Sequence, residues 1–215
     1  MIPVIVVPVL NRFDLLKRCV GSIDYDVEKL IVVNNSGIHE ETPYARHVKD
    51  AYNYKMPTNL GVAASWNLGI KATPYADGWI LLNSDAAFPA GVLEKFYSTC
   101  RPDIIQTAGI PAWCCVWVGA DVVANVGLFC ESFHPAYYED WDFERRAKRH
   151  FVEVVHFEGT IIHDGMSTVR SDNRLRTANK ATFLRNKELY EHRLAQNADG
   201  AGEWDLKRVR ELGWI

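Results

Sequence analysis

Three short apolar runs in this chain each break off into a cluster of small polar residues. Val4 to Val9 leads to Asn11, Leu30-Ile31-Val32-Val33 to Asn34-Asn35-Ser36-Gly37, and Trp79-Ile80-Leu81-Leu82 to Asn83-Ser84-Asp85. Runs that are apolar without alternation and rich in β-branched residues are the pattern of strands covered on both faces. Between them lie segments with helical spacing. Leu15, Leu16, Cys19, Val20 and Ile23 follow the first run, with Asn11 placed to cap that helix, and Asn59-Leu60-Gly61 opens a helix from Val62 to Lys71 in which Gly69 permits close packing. This order predicts an α/β fold, a single-domain, Rossmann-like and mostly parallel sheet flanked by helices, in which ligands bind at the carboxyl ends of the strands. The three polar clusters then share one edge.

The pattern continues with a helix from Ala90 to about Thr99, a strand near Ile104-Ile105-Gln106-Thr107 and another over Cys114 to Gly119. Further on, Glu139 to Arg149 reads as a helix, Val152 to Phe157 as a strand, and Ala178 to Gln196 as a charged amphipathic helix. Residues 1–200 are expected to form the domain and 201–215 a tail, whose Trp204, Leu212 and Trp214 suit either docking or a free end.

A length of 215 residues with 48% apolar content is enough for one buried core. The net charge of −3 gives no general attraction to nucleic acid or anionic lipid, so any anion must be held by a local site. The five cysteines are an odd number without metal-type spacing and read as reduced core thiols of a cytoplasmic protein. No basic stretch precedes the first apolar run and Pro8 interrupts it, so neither a secretory signal nor a membrane span is expected.

The chemistry is densest at Tyr137-Tyr138-Glu139-Asp140-Trp141-Asp142, followed by Arg145-Arg146-Ala147-Lys148-Arg149. Acids in a first helical turn are ordinary stabilisers, and basic runs on helices are usually solvated faces. Acids and aromatics together at one helix start fit a site equally well. Asp85 has two readings, a helix cap or a ligand for a hard cation. His163 likewise reads as a core histidine or a nitrogen ligand, and Asn34-Asn35 as a plain turn or a nucleotide contact.

These motifs, in this order, are similar to family 2 glycosyltransferases with the A-type nucleotide-sugar-binding fold, over Val4 to about Tyr190. Val7-Pro8-Val9-Leu10-Asn11-Arg12 resembles the family's first strand and turn, Val32 to Gly37 its second, and Asn59-Leu60-Gly61 with Asn67-Leu68-Gly69 its donor-side helix. Asn83-Ser84-Asp85 resembles the Asp-x-Asp motif in the Asn-x-Asp form of rhamnosyltransferase-like members. Val126 to Phe133 with Tyr137 to Arg146 resembles the acceptor-side block, and Ile162-His163-Asp164-Gly165-Met166-Ser167 the segment closing the donor site.

The resemblance implies a metal-dependent, inverting transfer of a sugar from a UDP or dTDP donor to an acceptor hydroxyl on a glycan, lipid-linked sugar or protein. It divides the domain into a donor half, 1–100, and an acceptor half, 101–200. It makes Pro8, Asn11, Arg12, Asn34, Asn35, Asn59, Gly61, Asn67, Asn83 and Ser84 donor-binding, and Asp85 and His163 ligands of Mn²⁺ or Mg²⁺, manganese being favoured by the nitrogen donor. Asp140 becomes the general base with Glu139 beside it, and Trp113 and Trp141 face the acceptor. Asn34 and Asn83 stand where the family usually has Asp, which lowers the charge of the site. Two other readings compete: a nucleotide-sugar or glycan-binding module without chemistry, and a sugar nucleotidyltransferase. The second wants a Gly-rich basic loop after the first strand, where Asn11-Arg12-Phe13-Asp14 stands instead.

Overall fold

In the computed structural model, which describes residues 1–215 apart from 44, 166, 171–172, 200–203 and 213–215, the apolar runs become central strands. In chain order the elements are β1 (Ile2–Val9), α1 (Phe13–Gly21), β2 (Val27–Asn34), β3 (Val48–Lys55), α2 (Val62–Ala72), β4 (Gly78–Leu82), β5 (Ala86–Ala87), α3 (Val92–Tyr97) and β6 (Ile104–Ala108). There follow a 3₁₀ turn (Ala112–Cys114), β7 (Cys115–Gly119), α4 (Ala120–Val126), α5 (Glu139–Arg149), β8 (Glu153–Phe157), β9 (Ile162–His163), α6 (Ser167–Arg170), α7 (Asn173–Ala195) and α8 (Leu206–Leu212).

Seven strands form one sheet in the order β3-β2-β1-β4-β7-β6-β8, and β5 pairs with β9 in a separate ribbon. Only β7 runs against its neighbours in the large sheet; the other pairs are parallel. One apolar layer packs Leu16, Cys19, Val20, Phe96 and Trp117 against one face, the other packs Trp66, Ile70, Val122, Phe129 and Phe143 against the opposite face. Both faces being covered is why β4 and β7 are buried at every position. Gly69 is as close as its residue type allows: a Cβ there would collide with the Val6 side chain.

Several local expectations are corrected. Asn11 does not cap α1; that position belongs to Arg12, in a left-handed conformation (φ 35°) with no side-chain cap bond. Asn11 Nδ2 instead donates to the Thr168 carbonyl at 3.1 Å, tying β1 to α6. β3 lies at the sheet edge and α4 was not foreseen, and α7 begins at Asn173 rather than Ala178. The tail docks: Leu206 is buried, and the Arg210 guanidinium donates to the carbonyls of Pro74 and Ala76, both at 2.7 Å. Trp214 lies outside the described residues. The five cysteines are free thiols, and burial pushes Cys19 and Cys114 up to about 12, so they are unreactive. Among the described residues no helix is long and apolar enough to cross a membrane.

Candidate active site

The carboxyl ends of β1 and β4 open into a cavity of about 380 Å³. Its floor includes Pro8, Val9 and Leu10 from the end of β1 and the residue after it, Asn35 just past β2, and Asn83, Ser84 and Asp85 just past β4. Asn59 and Gly61 close one side. Leu175, Ala178, Asn179 and Thr182 of α7 line it too, so the carboxyl-terminal helix shares the same space.

Asp85 is the focus of this cleft. The β5–β9 ribbon sets Ala86 opposite His163, so the imidazole stands beside the preceding aspartate. His163 Nε2 lies 3.1 Å from Asp85 Oδ1, and Ser167 Oγ donates to Oδ2 at 2.6 Å. Burial pushes the Asp85 carboxyl up, but those two hydrogen bonds outweigh it and hold the group below its ordinary value. His163 is raised, first by its bond to Asp85. Its Nδ1 is 3.1 Å from the Ile110 carbonyl, an acceptor, so Nδ1 carries a proton and Nε2 is the nitrogen that titrates. Asn83 Nδ2 reaches the same Nε2 at 3.4 Å.

Among the described residues no group of three or more His, Cys, Asp or Glu side chains gathers as a metal site. Neighbouring Asp164 is engaged by Arg18 at 2.7 Å. A divalent ion would therefore take Asp85 and His163 from the protein and its other ligands from substrate or water, a mixed oxygen and nitrogen set that fits Mn²⁺ better than Mg²⁺.

The acid pair opens α5. Tyr137 and Tyr138 both have left-handed backbones (φ 79° and 74°), costly for aromatic residues and typical of positions that the surroundings force for a purpose. Burial raises the carboxyl of Glu139 to about 8, reinforced by Asp140, and its Oε2 has no partner. Burial also raises Asp140, although the Trp141 amide donates to its Oδ1 at 2.9 Å. At neutral pH Glu139 keeps its proton, and both acids of the pair are pushed toward the neutral form by burial. Tyr137 lines the cleft, whereas neither acid is among its lining residues.

The structure gathers Pro8, Asn35, Asn59, Gly61, Asn83, Ser84, Asp85 and His163 in one cleft and leaves the other candidates outside it. Asn34 is buried, its amide bonded to the Ile38 carbonyl and its oxygen accepting from Ser36, so it builds the turn. Asn67 bridges α2 to Phe129 and Glu131, a packing role. Arg12 pairs with Asp14 at 2.6 Å outside the cleft. Trp113 is 8% exposed, stands edge-on to Phe129 and Phe143, and donates to Glu144 at 3.1 Å, so it packs the core rather than facing an acceptor. Trp141, by contrast, is 57% exposed. Sequence reasoning placed Ser167 in the segment closing the donor site without giving it a role, and missed the α7 residues Leu175, Ala178, Asn179 and Thr182. Gly61 shows why its loop matters: it has φ 82°, a Cβ would sit 2.8 Å from the Pro135 carbonyl oxygen, and Val62 N donates to that oxygen at 2.7 Å.

No protein family and no curated protein matches the sequence. Solved structures do share the fold. TarS of S. aureus aligns over 75% of this chain and 36% of its own, at 12% identity and a TM-score of 0.57. Its 1–349 segment in complex with UDP aligns over 75% and 59%, at 12% identity and 0.54. GalNAc-T7 with UDP, GalNAc and Mn²⁺ aligns over 76% and 44%, at 6% identity and 0.60. The chain thus spans 36% to 59% of these proteins. At such identities the likeness establishes the fold, the α/β A-type architecture with a mostly parallel sheet flanked by helices.

Proposed function

We propose that this chain transfers a sugar from a nucleoside diphosphate donor, UDP- or dTDP-linked, to an acceptor hydroxyl, with inversion at the anomeric carbon. The observation that carries this is the Asp85–His163 pair at the tip of β4, set in a ligand-sized cleft made from strand ends. The shared fold of proteins solved with UDP, one of them with Mn²⁺, supports the reading.

A divalent ion bound at this pair would stabilise the charge that grows on a departing diphosphate. The chain's residues do the rest. Asp85 and His163 would hold the ion, while Asn83 and Ser84 offer an amide and a hydroxyl to ribose or phosphate oxygens. Asn35 keeps the cleft wall in shape, donating to Ser65 Oγ at 2.9 Å and accepting from the Leu60 amide at 2.9 Å. Asp140 accepts the acceptor hydroxyl's proton as that oxygen attacks, and Glu139 beside it holds its own proton. Asp85, the one carboxylate among the described cleft-lining residues, is engaged by His163 and Ser167, which favours a single displacement with inversion over a covalent intermediate on Asp85.

Manganese-dependent release of UDP or dTDP from a panel of sugar donors tests this. Asp85→Ala and Asp140→Asn are each expected to lower turnover by about a hundredfold or more. Turnover unchanged in both overturns the reading. A second reading, a nucleotide-sugar or glycan-binding module, is favoured by one feature: Asp140 Oδ1 accepts from its own helix. Saturable UDP binding with no donor turned over would select that reading.

A further inference from the structure

A second groove, of about 540 Å³, is lined by Trp141, Glu144, Arg145, Lys148, Arg149 and Tyr190. In chain order the acid pair stands between Tyr137, which lines the donor cleft, and Trp141, which lines this groove. Trp141, Arg145 and Lys148 recur at helical spacing on one face of α5, a stripe of about 10 Å leading away from the pair. Trp141 is held edge-on by Tyr138 and Tyr190, ring centroids 5.2 and 6.0 Å away, yet more than half of it meets solvent.

Among the described lining residues of the groove, Arg145, Lys148 and Arg149 outnumber the single carboxylate Glu144. Asp142 is the one carboxylate that Arg145, Arg146 and Arg193 all engage. Lys148 pairs with Glu144 and Arg149 with Asp199. Arg145 is the key residue. Its Nη2 is anchored to Asp142 and to the Ala198 carbonyl, while its Nε and Nη1 are covered and have no acceptor. A covered guanidinium N–H without an acceptor is costly, and an oxyanion reaching it would supply one.

We propose that this groove is an acceptor subsite for a saccharide carrying an oxyanion, phosphate or carboxylate, with a sugar ring against Trp141 and the anion at Arg145 and Lys148. The proposal rests on the transferase reading above and names the class of its second substrate. A neutral sugar would meet Trp141 but bring no oxyanion to the unsatisfied donors of Arg145. Nucleic acid is disfavoured, because the groove is short and the chain as a whole is anionic.

Direct binding at low ionic strength tests it without catalysis. The ligands are an oligogalacturonate and its carboxyl-reduced counterpart, a phosphorylated oligomannose and its dephosphorylated counterpart, and inorganic polyphosphate. Each charged glycan that fits is expected to bind about tenfold tighter than its neutral partner, and the pair showing this identifies the anion. Lys148→Glu and Trp141→Ala should each lower that affinity by about tenfold, whereas polyphosphate should respond to Lys148→Glu alone. Lys148 is exposed, so its variant folds even if an Arg145 substitution does not. Equal binding of charged and neutral glycans, no glycan binding, or charged-glycan binding indifferent to both variants overturns the proposal. So does polyphosphate matching the glycans with Trp141→Ala silent, which would mean plain polyanion attraction. UDP binding, compared with Asp85→Ala, is measured separately. Its failure alone sinks the transferase reading, and failure of the glycan arm alone sinks the groove.

Discussion

Asp85 and Glu139 are almost equally buried, at 8% and 6% exposure, yet their carboxyl groups are displaced in opposite directions. Loss of solvent pushes both toward the neutral form. At the tip of β4, His163 and Ser167 answer that with hydrogen bonds from two separate elements, and the charge survives burial. At the first turn of α5 no side chain answers Glu139, Asp140 adds a like charge, and the proton stays. The strand-tip carboxylate thus keeps its charge in a buried place, and the first acid of the helix turn keeps its proton. Asp142, two residues further along α5, sits beyond the Asp85 case: it is wholly buried, and three guanidinium groups keep it ionised.

The largest expected effect extends the comparison to that third carboxylate. Arg146 is fully buried, bonded to Asp142 and to the carbonyls of Val126 and Leu128. Asp142→Ala strips a buried cation of its counter-charge and should cost about 3–5 kcal/mol in chemical denaturation. A loss below about 1 kcal/mol would show that the hydrogen bonds to carbonyls suffice, and that charge pairing matters less here than the contrast implies. Next in size, Asp85→Ala should lower donor turnover by about a hundredfold, equivalent to about 2.7 kcal/mol, while leaving the fold intact by circular dichroism. An equal loss of stability would mean that Asp85 serves structure first.

The sheet was legible because its strands are buried on both faces, so unbroken apolar runs mark them whatever their neighbours. β3 was not, since its exposed Lys49, Ala51, Tyr52 and Lys55 follow from a sheet-edge position that only tertiary pairing decides. The same division holds for the site. Asn83, Ser84 and Asp85 could be placed because a strand end is a topological location. Trp113 and Asn67 could not, because an aromatic or amide that packs and one that binds a sugar are the same letters; partners such as Phe143 and Phe129, distant in sequence, settle the matter. Ser167 reaches Asp85 across 82 positions, a contact that no local pattern announces.

Glu139→Gln probes the unanswered acid. A group whose folded value, about 8, lies above its ordinary value of 4.5 binds its proton more tightly in the folded state. Stability therefore falls as pH rises through that window, because the unfolded chain ionises first and the folded chain must then ionise against burial. Glutamine has no proton to lose, so the variant should gain on the parent between pH 5 and 8 by at least about 1 kcal/mol. Parallel curves would show that Glu139 has found a partner on ionising.

The smallest effect belongs to Ser167→Ala. Removing one donor from Asp85 should cost about 1 kcal/mol at neutral pH. Asp85 lies below its ordinary value, so its contribution is present above the unfolded value and lost as pH falls through the folded one. With one hydrogen bond fewer, that folded value rises and the acid unfolding midpoint should move to higher pH. If the midpoint stays put while stability at neutral pH drops, His163 alone keeps Asp85 charged, and Ser167 serves to anchor α6 over the cleft. That outcome would narrow the strand-tip site to a two-residue device, with the hydroxyl as its fastening.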